Sequence, residues 1–240
     1  MEVHWLQQRG SDVPPQDDWL SAAEVMRLAS MRFEKRRADW RIGRWTAKAA
    51  IAAHMGIPAL CGSLREIELR PEPLGAPVAW VGNARAPFRI SLSHRGGVAV
   101  CAISGAGVEL GCDVELVEPR SANFIDDYFT PAEHAFLDRA PAVERPQTIA
   151  LLWSAKESAL KALRVGLRLD LRELAVSIPG NASPATRADP WRAFRISCGP
   201  RVFDGWWRAD GPLVYTVVAA PPSAAPSMLE VCSAVMTCPI

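Results

Sequence analysis

Short unbroken apolar runs alternate along this chain with longer stretches of helical spacing. Val98 to Ile103 reads Val-Ala-Val-Cys-Ala-Ile between a Gly-Gly pair and Ser104-Gly105, the pattern of a strand buried on both faces. Val214 to Ala219 reads the same way in the second half of the chain. Helices are predicted at about 22–29, 34–54, 122–128, 132–139 and 146–163, with Thr130-Pro131 as a start signal before the fourth. Strands are predicted at about 67–69, 88–92, 98–103, 108–116, 174–178, 193–198, 201–208 and 214–219. Trp191, Trp206 and Trp207 fall on or beside the later strands and are expected to pack a sheet. Pro179 to Pro190 reads as a polar, proline-bearing loop, and the Ala-, Ser- and Pro-rich stretch after Pro221 as a fraying tail.

Trp45-Thr46-Ala47-Lys48 returns as Trp153-Ser154-Ala155-Lys156, 108 positions later. Each copy lies on a predicted helix and is followed by an apolar strand, which suggests two similar α/β units; chance is the alternative for so short a match. The expected organisation is an N-terminal subdomain over 1–106, a C-terminal subdomain over 107–220 and a flexible tail over 221–240. With 240 residues, 49% hydrophobic and 22% charged, the chain has the make-up of a soluble globular protein. No apolar run reaches membrane-spanning length, and Met1-Glu2-Val3-His4-Trp5 lacks the basic start of a secretory signal, so a cytoplasmic protein is expected. The cysteines at 61, 101, 112, 198, 232 and 238 have no metal-site spacing and are expected to be reduced.

Candidate chemistry gathers in two motifs, Gly111-Cys112-Asp113-Val114-Glu115 and Trp153-Ser154-Ala155-Lys156-Glu157-Ser158-Ala159-Leu160-Lys161. On a strand Asp113 and Glu115 share one face, with Cys112, Val114 and Leu116 on the other. On a helix Trp153, Glu157 and Lys161 form one stripe. Three carboxylates and two lysines, with no His or Cys partner, suit a hard divalent cation such as Mg²⁺ beside a phosphorylated ligand. Two plainer readings stay open: a surface ion pair for Glu157 and Lys161, and a solvated edge strand for the two acids of the first motif.

Between Arg27 and Lys48 stand eight cations against two acids, Glu34 and Asp39, in a chain whose net charge is only +1. Such a helix suits a phosphate-rich ligand, or is simply a solvated face. A pI of 7.6 and the lack of any nucleic-acid motif argue against nucleic acid. Gly-x-Ser-x-Gly, Walker-type, His-Glu-x-x-His and Cys-x-x-Cys patterns are all missing, which removes the common nucleophilic and zinc hydrolases.

The order Gly-x-Asp-x-Glu, then Trp-x-x-Lys-Glu-Ser-x-x-Lys, resembles the signature of the Sfp-type 4'-phosphopantetheinyl transferases. Ser91-Leu92-Ser93-His94-Arg95-Gly96-Gly97, Arg36-Arg37 with Gly43-Arg44, and Tyr128-Phe129-Thr130-Pro131-Ala132-Glu133 are similar to further elements of that family, so the likeness spans about 30–165. It implies an α+β fold of two similar α/β subdomains with pseudo-twofold symmetry and a ligand cleft between them. The implied reaction moves the 4'-phosphopantetheine group of coenzyme A onto a serine of an acyl, polyketide or peptidyl carrier protein in fatty acid, polyketide or nonribosomal peptide synthesis, releasing 3',5'-ADP.

The resemblance also assigns residues. Asp113, Glu115 and Glu157 would hold Mg²⁺; Glu157 would take the acceptor proton; Lys161 and Lys156 would balance charge on the pyrophosphate. Arg36, Arg44, Ser93 and His94 would grip the nucleotide, and Asp113 is counted among the coenzyme A contacts as well. Where the family carries Gly-Lys-Pro this chain has Gly75-Ala76-Pro77, and Arg70 is the candidate substitute for the missing lysine. A monomer is expected, with no nucleic acid and no membrane. The alternative is a non-catalytic coenzyme A or nucleotide-binding protein that docks on carrier-protein synthases.

Overall fold

The computed structural model describes residues 1–73, 75–179 and 191–231. Residues 180–190 of the expected loop, and Cys232 and Cys238, lie outside the described residues. Two compact units emerge, one formed by Val3–Gly107 with the segment from Ser227, the other by Met1–Glu2 with Val108–Pro226. Both combine helices with antiparallel strands, so the fold is α+β.

The N-terminal unit contains β1 (Val3–Arg9), α1 (Ala22–Ala29), α2 (Glu34–Met55), α3 (Cys61–Arg65), β2 (Ile67–Pro71), β3 (Pro77–Val81), β4 (Ala84–Arg85), β5 (Phe88–Arg95) and β6 (Val98–Gly105). One sheet runs Ser227–Met228, β1, β6, β5; a second holds β2, β3 and β4. The alanine-rich second half of α2 packs on β6, β1 and β5, with Ala47, Ala49, Ala50, Ile51 and Ala52 all fully enclosed. Gly96 and Gly97, both at positive φ, close the β5–β6 hairpin in two residues, which fixes His94 opposite Ala99.

Within the expected tail, residues 227–231 depart from expectation, and residues 232–240 lie outside the described residues. Rather than fraying, Ser227–Met228 pairs in parallel with β1, Leu229 donates its amide to the Trp5 carbonyl at 2.8 Å, and Leu229 and Val231 pack on the core. Alternating apolar residues at Leu229 and Val231 supply that anchor.

The C-terminal unit contains β7 (Glu109–Leu116), α4 (Ala122–Tyr128), α5 (Pro131–Arg139), α6 (Arg145–Leu163), β8 (Leu174–Ser177), β9 (Arg192–Cys198), β10 (Arg201–Asp210) and β11 (Leu213–Ala220). Its strands form one antiparallel sheet in the order β7, β11, β10, β9, β8. Helix α6 lies across β7 and β11. It comes so near at Gly111 that an added Cβ would sit 1.8 Å from the Ser158 carbonyl oxygen. Only glycine allows this approach, and the approach is what carries Glu157 and Lys161 to the strand acids.

The repeated Trp-x-Ala-Lys segment is structural in both units. Lys48 on α2 is fully buried and gives its ammonium to the Trp19 and Leu64 carbonyls, each at 3.0 Å, and to Glu24 at 2.5 Å. Lys156 on α6 is also fully buried and reaches the Tyr128 carbonyl at 2.8 Å, the Leu171 carbonyl at 2.9 Å and Glu133 at 2.8 Å. Glu24 and Glu133 each occupy the third position of a capping box, with Ser21 and Thr130 as the caps of α1 and α5. One acid thus caps a helix and neutralises a buried lysine, in each unit separately. Burial pulls both ammonium groups below the ordinary lysine range, against the opposing pull of their glutamates.

Candidate functional site

Strand alternation delivers Asp113 and Glu115 from β7, and the helical stripe of α6 delivers Trp153, Glu157 and Lys161. Asp113 is 4% exposed. Its Oδ1 accepts from Lys161 Nζ at 2.7 Å and its Oδ2 from Ser154 Oγ at 2.9 Å. Lys161 also donates to the Cys112 carbonyl at 3.0 Å, so the ammonium is anchored to the strand. Behind Ser154 stands a hydroxyl network: Thr216 of β11 donates to the Ser154 carbonyl at 2.9 Å, and Ser158 Oγ lies 2.6 Å from Thr216 Oγ1. All three hydroxyl residues are fully buried. They fix the rotamer of Asp113 from below.

Glu115 accepts from Trp153 Nε1 at 3.1 Å through Oε1 and faces Arg120 at 3.4 Å through Oε2. Trp153 is itself held by the rings of Phe124 and Tyr128, with centroids 4.9 and 5.2 Å away. Glu157 is the electrostatic centre of the group. Burial, and then the negative charges of Asp113 and Glu115, raise its pKa above the ordinary carboxylate value, with Lys161 only partly opposing them. For Lys161, burial works to lower the pKa, but Asp113 and Glu157 outweigh it and the ammonium is stabilised. The outcome is a negative field with one cation too few. Among the described residues no group of three or more His, Cys, Asp or Glu side chains is arranged to hold a metal ion unaided.

In the N-terminal unit Arg36 and His94 line one cavity of about 380 Å³, together with Phe33, Lys35, Asp39 and Trp40. His94 reaches it because β5 runs on to Arg95, past the expected end at 92, and because Gly43 lets α2 approach His94 and Leu92. Arg44 lies on the same stripe of α2 as Arg36 and Trp40; it stacks on Trp40 at 4.9 Å and faces Glu24 at 3.6 Å.

Three expected ligand contacts are not brought to these groups. Lys156 is enclosed by three protein oxygens and has no exposed surface to offer a pyrophosphate. Ser93 is buried on the face of β5 opposite His94, as alternation dictates. Arg70 sits on the separate β2–β4 sheet, paired with Glu68 at 2.8 Å and stacked on Trp80 at 4.4 Å. Conversely, sequence reasoning missed Thr216, Arg120 and the supporting role of Ser154. Thr216 left one signal, a lone threonine in a strand otherwise made of aliphatic residues and one tyrosine.

A family model described as the 4'-phosphopantetheinyl transferase superfamily matches residues 109–205, the stretch from β7 into β10. A holo-(acyl-carrier-protein) synthase of Cereibacter sphaeroides is 34% identical over 101 residues, 40% of this chain and 72% of that protein. A 4'-phosphopantetheinyl transferase of Bacillus subtilis is 30% identical over 91 residues, 38% of this chain and 40% of that protein. An L-aminoadipate-semialdehyde dehydrogenase-phosphopantetheinyl transferase of Xenopus laevis is 25% identical over 200 residues, 77% of this chain and 63% of that protein.

Proposed function

Because this chain belongs to the 4'-phosphopantetheinyl transferase superfamily, we propose that it moves the 4'-phosphopantetheine group of coenzyme A to a serine of an acyl, polyketide or peptidyl carrier protein. The serine oxygen forms a bond to phosphorus, the diphosphate P–O bond breaks, and 3',5'-ADP leaves. One observation carries the reading: Glu157, its pKa raised by burial and by two neighbouring acids, stands beside a lysine that the strand already holds in place. A carboxylate so raised is a better proton acceptor for a hydroxyl than a free one. Lys161 keeps a fixed positive charge beside the breaking diphosphate bond.

Because the three carboxylates are not arranged to hold a metal ion by themselves, Mg²⁺ would enter this group together with the diphosphate, and the donor chemistry suits it. The donor set consists of oxygens only, and the uncompensated field on Glu157 favours an added cation. Asp113, Glu115 and Glu157 would hold the ion, directly or through water, with phosphate oxygens among its other partners, since Mg²⁺ commonly keeps several waters and binds only one or two carboxylates directly. When bound it would offset charge on the diphosphate. Arg36 and His94 in the N-terminal cavity supply donors suited to a phosphate of the nucleotide. The two motifs in order, with a buried-lysine arrangement in each unit, support the Sfp-type reading and an origin in two related α/β units.

Incubating the protein with coenzyme A, Mg²⁺ and apo acyl carrier protein should give the carrier the phosphopantetheine mass. Glu157→Ala should slow this by about 100-fold or more. If several apo carriers gain no mass while coenzyme A still binds, the proposal fails.

A further inference from the structure

Helix α6 presents the site described above through one stripe, Trp153, Glu157 and Lys161. A second stripe faces elsewhere. Gln147 and Leu151 lie about one turn apart, and Leu151 is two positions from Trp153, about 200° around the helix axis. They line a separate cavity of about 500 Å³ in the C-terminal unit, with Phe136, Glu144, Ile178, Arg192 and Trp207.

Arg192 and Trp207 are cross-strand neighbours, and the guanidinium lies over the indole, 5.3 Å from the ring centroid. Arg120, Arg145, Arg172, Arg195 and Arg201 of the same unit each pair with an acid. Arg192 has the stack alone, with no ion pair or side-chain hydrogen bond among the described residues. Trp207 is 7% exposed, yet its Nε1 has no acceptor among the described residues. A buried donor left unmet destabilises a fold, and a guanidinium held over a ring keeps its fork uncommitted. Two unmet donors side by side, at the wall of a cavity that also carries Phe136, Leu151 and Ile178, suit one acceptor group at the end of an apolar body.

We propose that this cavity binds an apolar carboxylate, whose oxygens accept from Arg192 and from Trp207 Nε1 while its body rests on Phe136, Leu151 and Ile178. A guanidinium pairs strongly with a carboxylate, and lone pairs remain for the indole N–H. The volume is within the range of small-molecule sites. A multiply charged phosphate is a poorer match, because Arg192 is the one cation among the described lining residues and Glu144 stands there with the opposite sign.

Isothermal calorimetry with decanoate tests this on the whole protein, with decan-1-ol as the uncharged comparison. One decanoate should bind per chain, about tenfold more tightly than the alcohol. Arg192→Gln should weaken decanoate about tenfold and leave the alcohol unchanged, whereas Glu144→Gln should tighten decanoate about twofold. The melting temperatures of both variants should match wild type, since neither side chain is buried. Coenzyme A should bind equally well with decanoate present. No binding of decanoate, uptake of many molecules without saturation, equal affinity for acid and alcohol, or an Arg192→Gln affinity equal to wild type overturns the site. So does competition with coenzyme A. Decanoate that binds only after residues 180–190 are replaced by a glycine-serine linker would mean that the chain fills the cavity itself, and overturns it too. The transferase reading is untouched by any of these results.

Discussion

Glu157 occupies a position that opposes its own ionisation, and this ties its chemistry to stability. Its native pKa is raised, first by burial and then by Asp113, so between the ordinary glutamate value and the native one the folded chain keeps a proton that the unfolded chain has lost. Stability therefore falls as pH rises through that window, and the deficit stays in full above it. Glu157→Gln removes the deficit. In the absence of divalent ions its urea midpoint at pH 7 should exceed that of wild type, and the difference should close below about pH 4. An equal or lower midpoint at pH 7 would show that the carboxylate is not strained. Asp113 makes the contrast: Lys161 and Ser154 already satisfy its charge.

Among the elements, α2 and α6 share one anchoring device, and its two copies differ in a testable way. Lys156→Met leaves Glu133 buried without its cation and should cost about 3–5 kcal/mol in urea unfolding, whereas Lys156→Met/Glu133→Gln should cost less. Lys48→Met should be milder, because Arg44 still faces Glu24 at 3.6 Å. A near-neutral Lys156→Met would contradict this account. The device also marks a boundary of legibility. Trp-x-Ala-Lys repeats visibly in the sequence, but the partners that enclose each lysine come from capping boxes upstream and from carbonyls of distant turns. Charge could be read from the letters, enclosure could not, and Lys156 was therefore expected at a phosphate. The long helices and apolar strands were readable because their periods are strong. Missed were β1, whose Gln7, Gln8 and Arg9 mask its alternation, and α3 and β3, each only five residues long. At the site, the Asp113, Glu115, Glu157 and Lys161 constellation followed from two local periods, but Thr216 needed the β7–β11 register.

For the whole molecule, the partition of the chain is the main lesson. The N-terminal unit takes in the segment from Ser227, returned after the entire C-terminal unit has been threaded. That return lays Ser227–Met228 along the outer side of β1, whose other side is already taken by β6. A chain ended at Pro226 would leave a row of β1 amides and carbonyls bare, a template for strand addition. Static light scattering should then show concentration-dependent self-association that the untrimmed chain lacks; a shortened chain that stays monodisperse would mean that the margin is protected by other means. Anyone trimming this protein for crystallisation, or fusing a reporter to it, should treat residues 227–231 as the seal on a seam rather than as spare length.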